Sequence, residues 1–174
     1  MKKFELTTEF ITNMFGKKLF RIKALVEFGN VKAGELGGYV EKEENVSQDG
    51  NAWVSGNARV YGNAWVSGNA EVYGDAWVSG NAWVYGNARV SGNARVSSDA
   101  DYALVQGFGT EFRCTTFYRG KNKKIMVNCG CFHGDLEGFR KQVKETRNGK
   151  IAKEYLMIAD LMEYHFTSED SSNE

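Results

Sequence analysis

Hydrophobic and polar positions recur every six residues from Asn51 to Ser98. In each of eight consecutive hexapeptides, Gly precedes Asn or Asp, which is followed by Ala, a variable residue and Val. Residues i and i+2 of an extended chain share a face, so Ala and Val point one way and the variable residue points the other. The pattern predicts very short strands joined by Gly-Asn corners, where both residue types tolerate a positive φ at low cost.

One such unit cannot bury its valine alone, but stacked units can, so the repeat predicts a solenoid. The motif Val-Ser-Gly-Asn-Ala-x resembles the hexapeptide repeat of left-handed parallel β-helices, in which three hexapeptides make one triangular coil. The flanks read as degenerate units that lengthen and cap the solenoid. On the N-terminal side, Val40 and Val46 are six residues apart, and two extra residues intervene before Val54.

The segments outside the repeat predict ordinary secondary structure. "KKLFRIKALVEF" alternates as a strand does. Leu19, Arg21 and Lys23 lie on one face, and Phe20, Ile22 and Ala24 lie on the other. "FRCTTFYRGKNKKIMVNCGCF" predicts two strands around a turn at residues 120–122. A helix capped by Asp135 and ended by Asn148-Gly149 has the apolar residues Leu136, Phe139 and Val143. A second amphipathic helix follows, with an apolar side formed by Ile151, Tyr155, Ile158, Leu161 and Met162.

These elements predict a mainly β protein: a left-handed parallel β-helix solenoid with a β-rich N-terminal cap and a small C-terminal α+β part. The predicted boundaries are 1–35 for the cap, 36–106 for the solenoid, 107–166 for a hairpin and two helices, and 167–174 for a disordered acidic tail. The chain is similar to phage- and prophage-type hexapeptide proteins of bacteria over "FRIKALVEFGNVKAGELGGYVEKEENVSQDGNAWV" and "VNCGCFHGDLEGFRKQVKETRNGKIAKEYL". This resemblance implies a phage origin and brings no particular activity with it.

Composition and charge limit the classes of partner and the cellular location that we expect. The 174 residues carry no formal net charge, which argues against direct binding of a nucleic-acid backbone. Twenty glycines and no proline suit many regular tight turns. Three cysteines make no disulfide framework, and the N-terminus lacks the apolar core of a secretion signal. No window approaches the roughly 20 apolar residues of a membrane span, so we expect a protein of the host bacterial cytoplasm.

The known chemistries of β-helix proteins find no support in the residues. β-Helix acyltransferases resemble one another in using a histidine general base beside a projecting loop, but His133 and His165 both lie outside the repeat, which has no inserted loop. A zinc hydratase of the γ-carbonic anhydrase kind needs three histidine ligands, and the chain has two. We therefore expect neither enzymatic activity nor a cofactor.

The cysteines leave two interpretations open. In the first, Cys129, Cys131 and His133 share a face of a continuing strand, Cys114 lies on the partner strand, and together they form a Cys₃His zinc site. Alternatively, the two cysteines join Ile125 and Val127 on a buried face and act as small hydrophobic residues.

The outward slot of Ala-x-Val is where binding is expected, because Trp fills it in four of the eight repeats. Outward residues three hexapeptides apart should share a face, so the repeat predicts three faces. The first consists of Trp53, Glu71 and Arg89, the second of Arg59, Trp77 and Arg95, and the third of Trp65, Trp83 and Asp101. We expect the third face, with Tyr85, to hold a homotrimer together. For the other two we expect contacts with a partner, because Trp, Tyr and Arg dominate interface hot spots. The expected partner-binding residues are Trp53, Arg59, Tyr61, Tyr73, Trp77, Arg89 and Arg95. Plain packing between neighbouring rungs is the alternative.

Three functions agree with these expectations. The favoured one is an accessory phage protein that inhibits a bacterial defence system, such as a CRISPR nuclease or an immune signalling enzyme, by occluding its surface. A sponge that holds a nucleotide signal in grooves between subunits is the second. A structural or assembly role is the third.

Overall fold

A computed structural model describes residues 1–167, so the predicted tail lies outside the described residues except for Thr167. The chain divides into two compact units, Met1–Asp99 and a second that begins at Ala100. Each unit is described by itself below.

The first unit begins with three strands, β1 (Phe4–Thr12), β2 (Lys18–Ala24) and β3 (Leu36–Val40), paired as an antiparallel sheet. The predicted alternation along β2 is broken, because Leu19 and Ile22 are both fully buried although they differ in parity. The cause is a shift of register between Arg21 and Lys23 in the pairing with β3, which turns the following residues to the other face.

The repeat forms eight two-residue strands, one in each hexapeptide. They are β4 (Trp53–Val54), β5 (Arg59–Val60), β6 (Trp65–Val66), β7 (Glu71–Val72), β8 (Trp77–Val78), β9 (Trp83–Val84), β10 (Arg89–Val90) and β11 (Arg95–Val96). Each strand pairs in parallel with the strand three hexapeptides away, as β5 does with β8 and β8 with β11. This confirms the predicted three-sided β-solenoid and, for the eight regular repeats, the predicted assignment of outward residues to faces. The left hand of the coil, which the resemblance implies, stays a prediction.

The interior of the solenoid is built from alanine and valine alone. In all eight repeats both residues are at most 1% exposed, as the pattern predicts. The corner glycines all have positive φ values, from 60° to 72°. A Cβ added to Gly50 would lie 2.6 Å from the carbonyl oxygen of Gly68 in the next coil, so the close stacking of coils also requires glycine.

The asparagines beside these glycines form ladders along the corners. The amide nitrogen of Asn51 donates to the side-chain oxygen of Asn69 at 3.0 Å, and Asn69 donates in turn to Asn87 at 3.1 Å. Asn63 makes the corresponding bond to Asn81. The Asn of the motif therefore tolerates the corner backbone and also links neighbouring coils.

The start of the solenoid matches the predicted degenerate units. Val40 pairs with Val60 and Val46 with Val66, so the first coil contains the two extra residues that the sequence indicates. They lie between Val46 and Val54, because Val54 pairs with Val72 in the regular spacing, and a 3-10 turn at Glu43–Asn45 comes just before Val46. The Asn45 amide donates to the carbonyls of Gly62 and Ala64, and this fills the gap in the backbone ladder.

The C-terminal end of the solenoid lies before the predicted boundary at residue 106. Residues 97–101 contain no Gly-Asn corner, and Asp99–Asp101 forms a 3-10 turn. The Asp99 carboxylate accepts the Trp83 backbone N–H at 2.7 Å, as another rung would. The next strand, β12 (Tyr102–Phe108), is antiparallel and belongs to the second unit, so Asp101 is not the third-face rung residue that we expected.

The second unit is a four-stranded antiparallel sheet with two helices. Its strands β12, β13 (Arg113–Arg119), β14 (Ile125–Cys129) and β15 (Phe132–Asp135) pair in chain order. The predicted turn joins β13 and β14, and the Gly120 N–H donates to the Lys124 carbonyl. The helices are α1 (Leu136–Thr146) and α2 (Gly149–Thr167).

The helix predictions hold with one exception. Asp135 caps α1 by accepting the Gly138 N–H at 2.9 Å. The core combines strand and helix residues: Phe117, Ile125, Val127, Leu136, Phe139, Val143, Tyr155, Ile158, Ala159, Met162 and Phe166. Leu161 is 58% exposed, contrary to expectation, because the buried side of α2 runs through Ile158, Ala159 and Met162.

Candidate protein-binding faces of the solenoid

The variable residues lie outward on three faces, which differ in how far they are covered. The first face consists of β4, β7 and β10, and the third of β6 and β9. The second consists of β3, β5, β8 and β11, and the antiparallel strands β1 and β2 extend its sheet.

The first face does not offer Trp53 to a partner, although the sequence places it in an outward slot. The N-terminal cap covers this side chain to 5% exposure, and the rings of Phe4 and Phe28 meet it edge-on at 6.2 and 5.4 Å. Our expectation of an exposed Trp53 is therefore corrected. Residues of the N-terminal cap bury this side chain, and the repeat pattern alone could not indicate that.

A buried lysine fastens the cap to the first rung. The Lys3 ammonium donates to the Ala52 carbonyl at 2.9 Å and lies 4.7 Å from the centre of the Phe28 ring. Burial lowers the pKa of Lys3 from 10.5 to about 8, although the nearby Asp49 charge opposes the shift. The contact that holds the cap therefore depends on the Lys3 ammonium, whose charged form is partly disfavoured by burial.

The rest of the first face is polar. The Arg89 guanidinium and the Glu71 carboxylate form an exposed ion pair at 3.3 Å, and Tyr73 is half-buried. A groove of about 440 Å³ runs beside Trp53, Glu71 and Tyr73.

On the second face, cations and aromatic rings alternate from rung to rung. Arg59 and Arg95, from the rungs on either side of β8, lie over the Trp77 ring at 5.0 and 4.1 Å. Arg21 lies over Tyr39 at 5.2 Å in the same sheet. We call Arg59, Trp77 and Arg95 the cation–aromatic column. Stacking of this kind contributes about 0.5 to 2 kcal/mol per contact.

The side chains of the cation–aromatic column mostly contact one another or the backbone of the solenoid. Arg95 donates to the carbonyls of Ala94 and Asp75, at 2.7 and 3.1 Å. Burial lowers the Arg95 pKa, and the charge of Arg59 acts in the same direction. Arg59, Trp77, Arg95 and Tyr61 are all half-buried. This arrangement agrees with the alternative that the sequence left open, packing between rungs.

The third face is the most open of the three. Trp65 and Trp83 are 38% and 53% exposed, and their rings meet edge-on at 5.6 Å. Tyr85, two residues beyond Trp83, is 57% exposed. We call these three side chains the third-face patch. Two stacked tryptophans that remain in water are unusual on the surface of a monomer.

An acidic groove adjoins this patch, and the sequence did not indicate it. Glu43, Glu44, Gln48 and Trp65 line a groove of about 330 Å³. Lys2 pairs with Glu43 at 2.9 Å, whereas Glu44 forms no ion pair within residues 1–167. The two glutamates lie in the 3-10 turn just before Val46, where no Gly-Asn-Ala-x-Val unit marks the outward positions, so the repeat gave no signal for them.

The cysteines do not come together as the zinc alternative requires. In the described part of the chain, no three His, Cys, Asp or Glu side chains are grouped as metal ligands. The Cys129 sulfur accepts the Thr115 hydroxyl at 3.1 Å and packs beside the core, whereas Cys131 and His133 are exposed. Ile125 and Val127 are buried, so the buried-face interpretation holds as far as Cys129 and ends before Cys131.

Comparison with known proteins supports the repeat. The model of a family described as the YdcK beta solenoid repeat matches residues 52–68 and 88–100. Both stretches contain hexapeptides, and together they cover well under half of the chain, so they show a β-solenoid repeat protein and nothing about its activity. No curated protein matches the sequence. Neither helix in residues 1–167 combines the length and apolarity that crossing a membrane requires.

Proposed function

We propose that this is a non-catalytic binding protein whose solenoid docks onto another protein through the third-face patch. The observation that carries the proposal is the exposed pair Trp65 and Trp83 with Tyr85 beside it. Of the outward tryptophans, Trp53 is covered by the cap and Trp77 is held between two arginines. The third-face pair remains 38% and 53% exposed and supplies large, rigid contact area at low entropic cost.

The charge beside the patch suggests the chemistry of the partner. Glu44, which forms no ion pair within residues 1–167, lines the groove next to Trp65, so a basic side chain would meet a carboxylate and an aromatic ring there. Proteins that bind nucleic acids present such basic surfaces. This favours a nucleic-acid-binding defence enzyme, such as a CRISPR nuclease, as the target that the phage resemblance led us to expect.

The rigidity of the scaffold fits inhibition by occlusion. The patch lies on backbone held by parallel rung pairing and by corner ladders of asparagine, so little order has to be gained on binding. The protein would act in the bacterial cytoplasm by covering the nucleic-acid channel of the enzyme, without chemistry of its own.

Inhibition of a purified defence nuclease by the purified protein tests this function. We expect DNA cleavage to fall with increasing wild-type protein and to recover with the double variant Trp65→Ser/Trp83→Ser. Phe15→Ser is the matched control, because Phe15 is 70% exposed in a turn of the cap and its loss leaves the patch intact. Equal inhibition by the double variant and the wild type would exclude the patch as the docking surface.

The homotrimer that we expected from the sequence would cover the same patch and is distinguishable by mass. If light scattering gives a trimer for the wild type and a monomer for the double variant, Trp65 and Trp83 hold copies together. A target would then have to bind elsewhere, and the first candidate is the cation–aromatic column with Tyr61.

The nucleotide sponge has weaker support. A base needs a free aromatic face for stacking, but the Trp77 ring already has a guanidinium from each neighbouring rung. The buried Arg59 Nε, which has no partner among the described residues, is the one feature that favours it. A panel of cyclic and ADP-ribose-type nucleotides should leave the melting temperature unchanged, and a rise that Arg59→Gln abolishes would favour the sponge. The structural or assembly role would be supported by finding the protein in purified virions.

A further inference from the structure

The arginines of this chain fall into three groups according to their partners. Four make ion pairs with carboxylates: Arg21, Arg89, Arg119 and Arg140. Two stack on Trp77: Arg59 and Arg95. The remaining two, Arg113 and Arg147, form no ion pair within residues 1–167, and both lie in the second unit. An unpaired pair of guanidiniums in one place is a common feature of anion sites.

Arg113 and Arg147 line the same cavity, which has a volume of about 80 Å³. Arg113 comes from the start of β13, Arg147 follows the end of α1, and Tyr155 of α2 and Cys129 of β14 complete the wall. Burial raises the pKa of the Tyr155 hydroxyl, while Arg147 and Arg113 act to lower it, so both cations lie near that oxygen.

Most other polar groups of this wall are already bonded within the protein. The Tyr155 hydroxyl donates to the Phe108 carbonyl at 3.3 Å, and the Thr146 hydroxyl donates to the Gln142 carbonyl at 2.7 Å. Arg147 donates one N–H to the carbonyl of Thr146, the last residue of α1. Each guanidinium has five N–H groups, so several donors remain for a ligand. Glu111, on the same wall, is not within ion-pair distance of either arginine.

We propose that this cavity, the arginine pocket, binds a single phosphate group, as inorganic phosphate or as the phosphate of a small phosphomonoester. A water takes about 30 Å³ of liquid, so the cavity has room for two or three waters and suits one oxyanion. Drug-sized ligands need roughly 300 Å³ or more, which excludes a whole nucleotide from its interior. Two fork-shaped cations match the geometry of a phosphate better than that of a monovalent halide.

Backbone NMR of the full-length protein with inorganic phosphate tests the pocket, with sodium chloride added to hold ionic strength constant. We expect saturable shifts at Gly130, where an added Cβ would lie 2.6 Å from an Arg113 guanidinium nitrogen, and at Arg147 and Tyr155. Arg113→Gln and Arg147→Gln should each weaken binding by about tenfold or more, because each removes charge-assisted hydrogen bonds. Both side chains are exposed, so the fold should survive, and unchanged circular dichroism would verify this.

Lys121→Gln is the matched control, because it removes one exposed positive charge from the turn between β13 and β14 and should leave phosphate affinity unchanged. A second titration with glycerol phosphate separates the two sources of the ligand. Binding of both compounds indicates a phosphomonoester site, and binding of inorganic phosphate alone indicates a closed ion site. Shifts that never saturate, that chloride reproduces, or that persist in the Arg113→Gln/Arg147→Gln double variant would overturn the proposal.

Discussion

The solenoid buries the same two small residues in every rung, whereas the C-terminal unit buries a mixed set of aromatic and aliphatic side chains. In the solenoid, order comes mainly from the backbone: parallel pairing between coils, glycine corners and asparagine ladders. In the C-terminal unit it comes from side-chain packing, with the Phe139 ring edge-on to Phe117 at 6.0 Å and to Tyr155 at 5.8 Å.

This difference determines where binding can occur in each unit. The fully buried alanine and valine side chains of the solenoid offer no polar group to a ligand, so we expect the solenoid to bind with its outward residues. The irregular core of the C-terminal unit leaves a small cavity at its edge, between the end of α1 and the start of β13. We therefore propose that the first unit binds a protein on an outward face and that the second binds an ion in its small cavity.

The largest expected effect is on packing in the C-terminal unit. Phe139→Ala should lower the free energy of unfolding by about 3 to 5 kcal/mol, because it removes a buried ring that three other aromatic rings contact. Urea unfolding followed by circular dichroism measures this loss. Val72→Ala in the solenoid removes less volume and should cost about half as much. Equal losses would contradict the contrast between the two cores.

A smaller effect is expected from backbone geometry at a solenoid corner. Gly68→Ala should destabilise the protein by about 2 kcal/mol, because φ is +67° and the new Cβ would lie 3.1 Å from the Gly86 nitrogen. Gly16→Ala is the matched control: its φ is +75°, but no atom lies within 4 Å of the added Cβ. Both variants share the conformational penalty, so their difference in thermal unfolding measures coil stacking. No difference would mean that stacking does not require glycine.

The sequence predicted the solenoid well because every rung repeats one local rule, from the glycine corner to the buried valine. It did not predict the exposure of the outward residues, which depends on parts of the chain far from the repeat. Trp53 and Trp83 occupy identical slots, yet Phe4 and Phe28 cover only the first. Likewise, the arginine pocket joins residues from β13, β14, α1 and α2, and no local spacing reveals it.

The pH dependence of stability should reveal the buried ammonium of Lys3 in the first unit. Its pKa is about 8 when folded and 10.5 when unfolded, so between these values the unfolded chain binds more protons and stability rises with pH. From about pH 7.5 to about pH 9.5, the wild type should gain about 1 to 2 kcal/mol relative to Lys3→Met. Urea unfolding at both values tests this, and parallel behaviour of the two proteins would exclude the buried charge.

The smallest effect on stability is expected at the third face. Trp83→Ser should change the free energy of unfolding by less than about 0.5 kcal/mol, because the side chain is largely exposed. Trp53→Ser, at the same position of the repeat, should cost about 3 kcal/mol or more, because it empties the space between Phe4 and Phe28. Similar losses in thermal unfolding would show that the two faces are equally covered.

Capture of a partner by matched variants tests the central claim, that the third-face patch is the docking surface. The wild type, Trp65→Ser/Trp83→Ser and Phe15→Ser would each be used to capture proteins from a bacterium that carries defence systems, and the bound proteins would be identified by mass spectrometry. We predict that the wild type and Phe15→Ser retain the same stoichiometric, nucleic-acid-binding defence protein and that the double variant loses it. Equal retention by the folded double variant would contradict the claim.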